Sequence, residues 1–236
     1  MISPVPWEYN EFRHLAVDFN DPRQVEVYEI QQGTDLEAEQ RLVRSLGISA
    51  VDIVIEYGSG TGAFLLAAAA ACARVHAVDV SRAMIDYARR RVEEAGRTNV
   101  SFHHGGFLTY EHRDVPARVV VTKFALHHLP DFWKVAALSK INACLQLGGL
   151  FFLEDVVFSF DPTSYPLEIQ TWIDQTTSAD TSFSKHEFEG HVRDEFSTYS
   201  WIMEAIIEQT GFAIRKVDVR SSTISSYLCE KVRSIK

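Results

Sequence analysis

The spacing of hydrophobic and polar positions changes several times along the chain. In "DLEAEQRLVRSL" (35–46) the apolar residues Leu36, Leu42, Val43 and Leu46 fall roughly on one face, which predicts a helix. The texture then shifts. "VDIVIEY" (51–57) is a short run rich in β-branched residues, and it leads through glycines into the almost wholly apolar "AFLLAAAAACA" (63–73). A helix with no polar face must be covered on most sides, as beside a parallel sheet. "RVHAVDV" (74–80) predicts the next strand, and Ser81 is a good N-cap for the helix "RAMIDYARRRVEEAG", which ends at Gly96. "NVSFHHGGF" (99–107) reads as a third strand entering a glycine turn, with His103 and His104 as alternating strand residues, and "ARVVVTKFA" (117–125) as a fourth. After Pro130, "DFWKVAALSKINACLQL" predicts a helix ended by Gly148 and Gly149, followed by a fifth strand, "LFFLEDVVF" (150–158).

Strands alternating with helices argue for a doubly wound parallel sheet with right-handed crossovers. The tail departs from that rhythm. Residues 159–197 are polar and aromatic with two short helices expected, and a further helix runs from about Thr198 to a stop at Gly211. "FAIRKVDVR" (212–220) and "ISSYLCEKV" (224–232) are then joined by only a few residues around Ser221 and Ser222. So short a join permits a hairpin and no crossover. The expected fold is therefore α/β, with seven mostly parallel strands, one antiparallel strand at the C-terminus, and a helical N-terminal segment over residues 1–46 ahead of the main domain at 47–236.

With 236 residues, 46% of them hydrophobic, the chain can bury one substantial core. Its 23 Lys and Arg against 32 Asp and Glu give a formal charge of -9, which argues against a nucleic-acid partner. The densest basic run, Arg89 to Arg91, is followed at once by Glu93 and Glu94 and reads as a solvated helix face. No secretory signal is visible, and the longest apolar run, Ala63 to Ala73, is too short to span a bilayer, so no membrane partner is expected. Cys72, Cys144 and Cys229 show no metal-ligand spacing and read as buried thiols of a cytoplasmic protein. Nothing in the sequence indicates an oligomer.

"VIEYGSGTGAF" (54–64) carries the chemistry. Gly58, Gly60 and Ala63 satisfy the dinucleotide fingerprint G-x-G-x-x-G/A, whereas Gly58, Gly60 and Gly62 equally satisfy G-x-G-x-G. In both readings Asp79, about twenty residues on, is placed to accept ribose hydroxyls. Three features argue against a nicotinamide oxidoreductase. Glu56, two residues before the first glycine, would repel a pyrophosphate and suits a cationic group. The expected antiparallel hairpin is foreign to the dinucleotide folds. The Tyr227-x-x-x-Lys231 spacing of a catalytic Tyr–Lys pair falls in a predicted strand rather than a helix.

"VIEYGSGTG", "AVDVS", "FALHHL" and "LQLGGLFFLED" together resemble, in order and spacing, the core motifs of class I S-adenosylmethionine-dependent methyltransferases, most closely the small-molecule group. The resemblance covers about residues 50–158 plus the terminal hairpin. It implies S-adenosylmethionine as cofactor, a Rossmann-like methyltransferase fold and a small-molecule acceptor. Tyr57, Gly58, Ser59, Gly60 and Gly62 would line its methionine part, Asp79 would hold the ribose, and Val80 and Met84 would face the adenine. The expected site also includes Glu56, Lys123 and Tyr28. Many members carry an acid after the third strand that meets the adenine amino group; here Gly106 stands there, leaving Phe107 as a stacking or backbone substitute. A non-catalytic cofactor-binding protein of the same fold is the remaining alternative.

For the acceptor, His127 and His128 follow the fourth strand, whose carboxyl end borders the ligand crevice of such sheets. One of them would orient the acceptor or take its proton, or both pack a helix entry. Glu154 and Asp155 end the fifth strand at the same edge, and at least one of them is expected to contact the acceptor. Insertion 159–197 is expected to form part of the acceptor pocket, with Arg193 anchoring an anionic or polar acceptor unless Asp194 and Glu195 satisfy it. No metal is expected, because His191 and Glu195 at i, i+4 supply only two ligands on one helix face. Trp7, Tyr9, Phe12, Phe19 and Tyr28 are expected to form a lid over the cofactor.

Overall fold

The computed structural model describes residues 6–13, 19–32, 35–177 and 184–235. Residues 1–5, 14–18 and 33–34 of the expected lid, and 178–183 of the insertion, lie outside the described residues. Strands β1 (Ile53–Tyr57), β2 (Arg74–Asp79), β3 (Val100–His104), β4 (Ala117–Lys123) and β5 (Leu145–Phe158) run parallel, in the order 3-2-1-4-5 across the sheet. Strand β8 (Ile224–Lys231) lies antiparallel beside β5, and β7 (Phe212–Ser221) closes the edge through the hairpin. Helix α1 (Pro22–Gln32) precedes the sheet in the chain, helix α6 (Tyr165–Thr176) follows β5, and a two-residue strand, β6 (Thr198–Tyr199), adds to the far end of β5.

Helices α2 (Leu36–Ser45), α3 (Ala63–Ala69) and α4 (Arg82–Glu94) cover one face of the sheet, over a core that includes Val54, Leu65, Val75 and Val121. Helices α5 (Asp131–Cys144) and α8 (Ser200–Gln209) cover the other, over Ile55, Leu138, Phe151 and Ile207. Alternation along β1 assigns its side chains: Ile55 and Tyr57 go to the second face, Val54 to the first. Helix α3 has seven residues, too few to be stable alone. Burial holds it, with fully covered Phe64 and Leu65 each contributing roughly 1.5–3 kcal/mol. In α2, Val43 and the capping Leu46 are buried as expected, whereas Leu36 is exposed.

Two boundaries differ from the sequence reading. Helix α5 stops at Cys144, and β5 already begins at Leu145, which pairs with Ala117. The glycines expected to end the helix instead bend the strand: Gly148 adopts φ +75°, and the ladder shifts register there. The Lys231 ammonium, inserted from β8, caps the freed helix end by donating to Asn142 O at 2.6 Å and Leu145 O at 2.7 Å. That contact also gives Lys231 a structural task apart from Tyr227. The helix expected from Thr198 starts at Ser200, because Thr198 and Tyr199 pair with Val157 and Phe158.

The strand histidines form a cluster of their own. His76 Nδ1 lies 3.0 Å from His103 Nε2, with His112 edge-on and Asp114 Oδ2 at 3.4 Å, while His104 meets Val80 O at 3.0 Å. Burial, with His112 and His103 adding, holds the His76 pKa down to about 4. Between its ordinary value near 6.5 and about 4, the unfolded chain binds a proton that the folded one refuses. The stabilisation is thus complete above pH ~6.5 and is lost as pH falls towards 4. His76→Gln should flatten that decline in urea melts across this range; a slope equal to that of the unmodified protein would contradict it.

Candidate active site

The carboxyl ends of β1 and β2 are tied into one unit. Gly58 and Ser59 donate their N–H groups to Val78 O, at 2.9 and 3.2 Å. Asp79, nearly buried, accepts from Gly60 N and from Ser81 N, each at 2.8 Å. Burial raises the Asp79 pKa, and these two N–H groups oppose the shift. Gly58, Gly60 and Gly62 all adopt positive φ, at +67°, +50° and +87°. They differ in what a side chain would meet. A Cβ on Gly58 would lie 2.5 Å from Ala125 Cβ, and one on Gly62 3.1 Å from Ala88 Cβ. A Cβ on Gly60 would meet only Gly58 O, at 4.0 Å. Two glycines serve close packing, and the middle one faces open space.

That space continues into a cleft of about 640 Å³, bordered by Tyr28, Glu39, Glu56, Gly58 to Thr61, Lys123 and Phe124. Glu56 is buried with Oε2 unpartnered, and burial drives its pKa well above the carboxylate range while Lys123 pulls the other way. The Lys123 ammonium pairs with Glu39. The Tyr28 hydroxyl is pushed up to about 12 by burial, with Asp79 adding. Phe124 has φ +50°, the one non-glycine with positive φ among the described residues. Such strain concentrates at ligand sites, and no sequence pattern announced it.

Other expected cofactor residues stand differently. The Tyr57 ring is a core residue, a correction that follows from strand alternation. It is fully buried on the α5 face, stacked on Phe107 at 5.2 Å, with its hydroxyl 3.6 Å from Cys144 Sγ. Phe107 thereby becomes largely committed to Tyr57. Met84 is nearly buried on α4, and Val80 borders Gly106: a Cβ on Gly106 would lie 2.8 Å from Val80 Cγ1. The same Cβ would lie 2.5 Å from Glu11 Oε2. Glu11, unforeseen in the sequence, therefore puts its carboxylate where a side chain at 106 would project. It accepts from Leu108 N at 2.9 Å through Oε2, and from Thr109 N and Oγ1 at 2.8 and 2.5 Å through Oε1.

The comparisons with known proteins agree with this geometry. The family model of a methyltransferase domain matches residues 54–149. An uncharacterized methyltransferase of Bacillus mycoides is 29% identical over 163 residues, covering 68% of this chain and 69% of its own. A SAM-dependent methyltransferase from Aquifex aeolicus superposes with TM-score 0.64 at 16% identity, over 90% of this chain and 99% of that one. An O-methyltransferase family 2 protein from Planctomyces limnophilus, in complex with apigenin, gives 0.66 at 17% identity, over 92% and 63%. Residues 54–149 thus resemble a methyltransferase domain, on a fold shared with S-adenosylmethionine-dependent methyltransferases.

Adjacent residues at the end of β5 part company. Glu154 borders the cleft and pairs with Arg220. Asp155 is buried and holds His127 twice, accepting from its backbone N at 3.1 Å and meeting its ring Nδ1. His127 Nε2 in turn lies 3.2 Å from Glu195 Oε2, and the His128 ring lies 4.3 Å from that of His127. Burial alone would lower the His127 pKa, but Asp155 and Glu195 raise it to about 9; burial and His127 hold His128 down to about 4. The fold thus brings together His127, His128 and Asp155, and adds Glu195 at the C-terminal end of helix α7 (Lys185–Asp194).

Arg193 does not join them. Its guanidinium is exposed and forks onto Asp194, with Nη2 to Oδ2 at 2.7 Å. Helical periodicity explains the correction: His191 and Glu195 share the inward face of α7, and Arg193 lies between them on the outer side. The expected lid residues spread along the sheet edge. Trp7 stacks on Trp133, the Tyr9 hydroxyl donates to His128 O at 3.0 Å, Phe12 packs on His104, and Phe19 packs on Tyr28. Phe19 O also accepts from Ser81 Oγ at 2.6 Å.

Proposed function

We propose that the protein transfers a methyl group from S-adenosylmethionine to a small polar acceptor. The observation that carries this reading is Gly60, whose N–H is fixed on Asp79 while open space lies where its side chain would be. The residues fit the cofactor. Tyr28, Glu56, Gly58, Ser59, Gly60 and Lys123 would surround its methionine end, the unpartnered Glu56 oxygen suiting a cationic amino group. Asp79 would hold the ribose, and Val80 and Met84 would flank the adenine. When bound, the cofactor supplies an electrophilic methyl on a good leaving group, so the chain's task is to align the acceptor and exclude water.

A small acceptor is supported by the net charge of -9, which disfavours polyanions. The apigenin held by the Planctomyces relative in fold points the same way. No helix among the described residues is long and apolar enough to cross a membrane, and all three cysteines are free and buried, which suits a reducing cytoplasm. Transfer of labelled methyl from S-adenosylmethionine should appear in small phenols, amines or carboxylates. Label entering only RNA, DNA or protein would overturn the small-acceptor reading.

Glu11 would take the adenine amino group in place of the acid missing at 106, since Oε2 accepts one bond from Leu108 and keeps a second lone pair. Glu11→Ala should weaken S-adenosylhomocysteine by about 1–3 kcal/mol, roughly 5- to 150-fold, while leaving the analogue with hypoxanthine for adenine little changed. Equal losses for both ligands, measured by calorimetry, would assign Glu11 to holding the 107–109 turn alone.

A further inference from the structure

The buried cluster behind β4 and β5 has an imbalance that the methyl-transfer reading does not use. Nitrogens of His127 and His128 and a carboxylate oxygen of Glu195 lie within 4.8 Å of one another. Asp155 occupies His127 Nδ1, so Nε2 is the atom turned towards Glu195. Glu195 Oε2 stands within ion-pair distance of both His127 and His191, yet it is buried and meets hydrogen-bond geometry with neither. Two buried carboxylates, Asp155 and Glu195, converge here, while the nearby Lys134 ammonium is engaged by Asp131 and by Phe196 O. A metal ion held at Nε2 would take the place of a proton on His127 between these carboxylates.

We propose that His127, His128 and Glu195 bind a divalent transition-metal ion of the zinc class. Two imidazoles and one carboxylate are a donor set for such an ion, and three protein ligands leave a fourth tetrahedral position for water or another oxygen ligand. Zinc bonds of about 2.0–2.1 Å place tetrahedral ligands roughly 3.4 Å apart, so modest side-chain rotations close the site from its present span. The outer contacts are those a metal histidine needs. Asp155 fixes the His127 ring and tautomer from behind, and His191, itself 2.8 Å from Ser197 Oγ, steadies Glu195. The ion would join the turn after β4 to helix α7, which are separated by more than fifty residues of sequence and belong to different layers of the fold.

The test is titration of the full chain, after dialysis against chelator, with Zn²⁺ by calorimetry and with Co²⁺ by visible absorption. The expected result is one equivalent bound with a tetrahedral cobalt spectrum, weakened at least 10-fold in both Glu195→Gln and His128→Ala. His128→Ala decides the matter if Glu195→Gln fails to fold, because the His128 ring makes no hydrogen bond among the described residues. Absence of stoichiometric binding, or binding unchanged in His128→Ala, would overturn the proposal and leave a network held by a proton alone. Zinc bound at cysteines would show as cobalt–thiolate absorption, and that result also counts against it.

Discussion

Gly60→Val abolishes binding of S-adenosylhomocysteine and leaves the fold standing. The backbone at Gly60 has φ +50°, a conformation costing a non-glycine residue roughly 1–2 kcal/mol. That strain is tolerable for a domain of this size. The new side chain meets no protein atom closer than Gly58 O, so it projects into the space the ligand needs. Loss of affinity should exceed 100-fold, beyond about 2.7 kcal/mol, with a far-ultraviolet spectrum like that of the unmodified protein. Gly58→Val provides the contrast. Its Cβ falls 2.5 Å from Ala125 Cβ in a packed turn, so this variant should lose stability first and binding as a consequence. Calorimetry paired with thermal melts separates the two, and retained binding in Gly60→Val would remove the glycine loop from the site.

Asp155→Ala unfolds at a temperature lower by on the order of 10 °C, from about 3–5 kcal/mol at roughly 2–4 °C per kcal/mol. The carboxylate is buried and serves three groups: the His127 ring, the His127 backbone N and Val156 N at 2.8 Å. Truncation strands all three in a place water does not reach. Asp155→Asn keeps an acceptor and should lose less than half as much. A shift below about 2 °C for Asp155→Ala would mean that the buried pair contributes little.

Much of the architecture was legible because local chemistry and global fold agree. The β-branched run 51–57, the apolar stretch from Ala63 and the N-cap Ser81, which accepts from Met84 N at 3.1 Å, each dictate their own conformation. The short join at Ser221 and Ser222 allowed only the antiparallel β8. The start of β5 was misread because glycines that resemble a helix stop instead absorb a bend in a strand. Strand β6 is two residues long and exists only because β5 offers an edge there.

Within the site, legibility followed sequence distance. Asp79 and the glycines are neighbours along the chain and could be read as a motif. Glu11 reaches Leu108 across 97 residues, and Glu195 reaches His127 across 68, distances at which no pattern reports a contact. Arg193 and Glu195 looked alike in sequence as members of one polar run. Only the direction of α7 against the sheet sends the carboxylate inward and the guanidinium out. Tyr57 was assigned to the cofactor by its place beside the glycines, whereas its side chain obeys the alternation of β1 and belongs to the core.

The central claim is that the loop from Gly58 to Gly62, with Asp79, holds an adenosyl sulfonium compound rather than a dinucleotide. Calorimetric titration of the unmodified protein with S-adenosylhomocysteine and, separately, with NADH tests it most directly. One equivalent of S-adenosylhomocysteine should bind, with no saturable heat from NADH. Tighter binding of NADH, or no heat from S-adenosylhomocysteine, would contradict it.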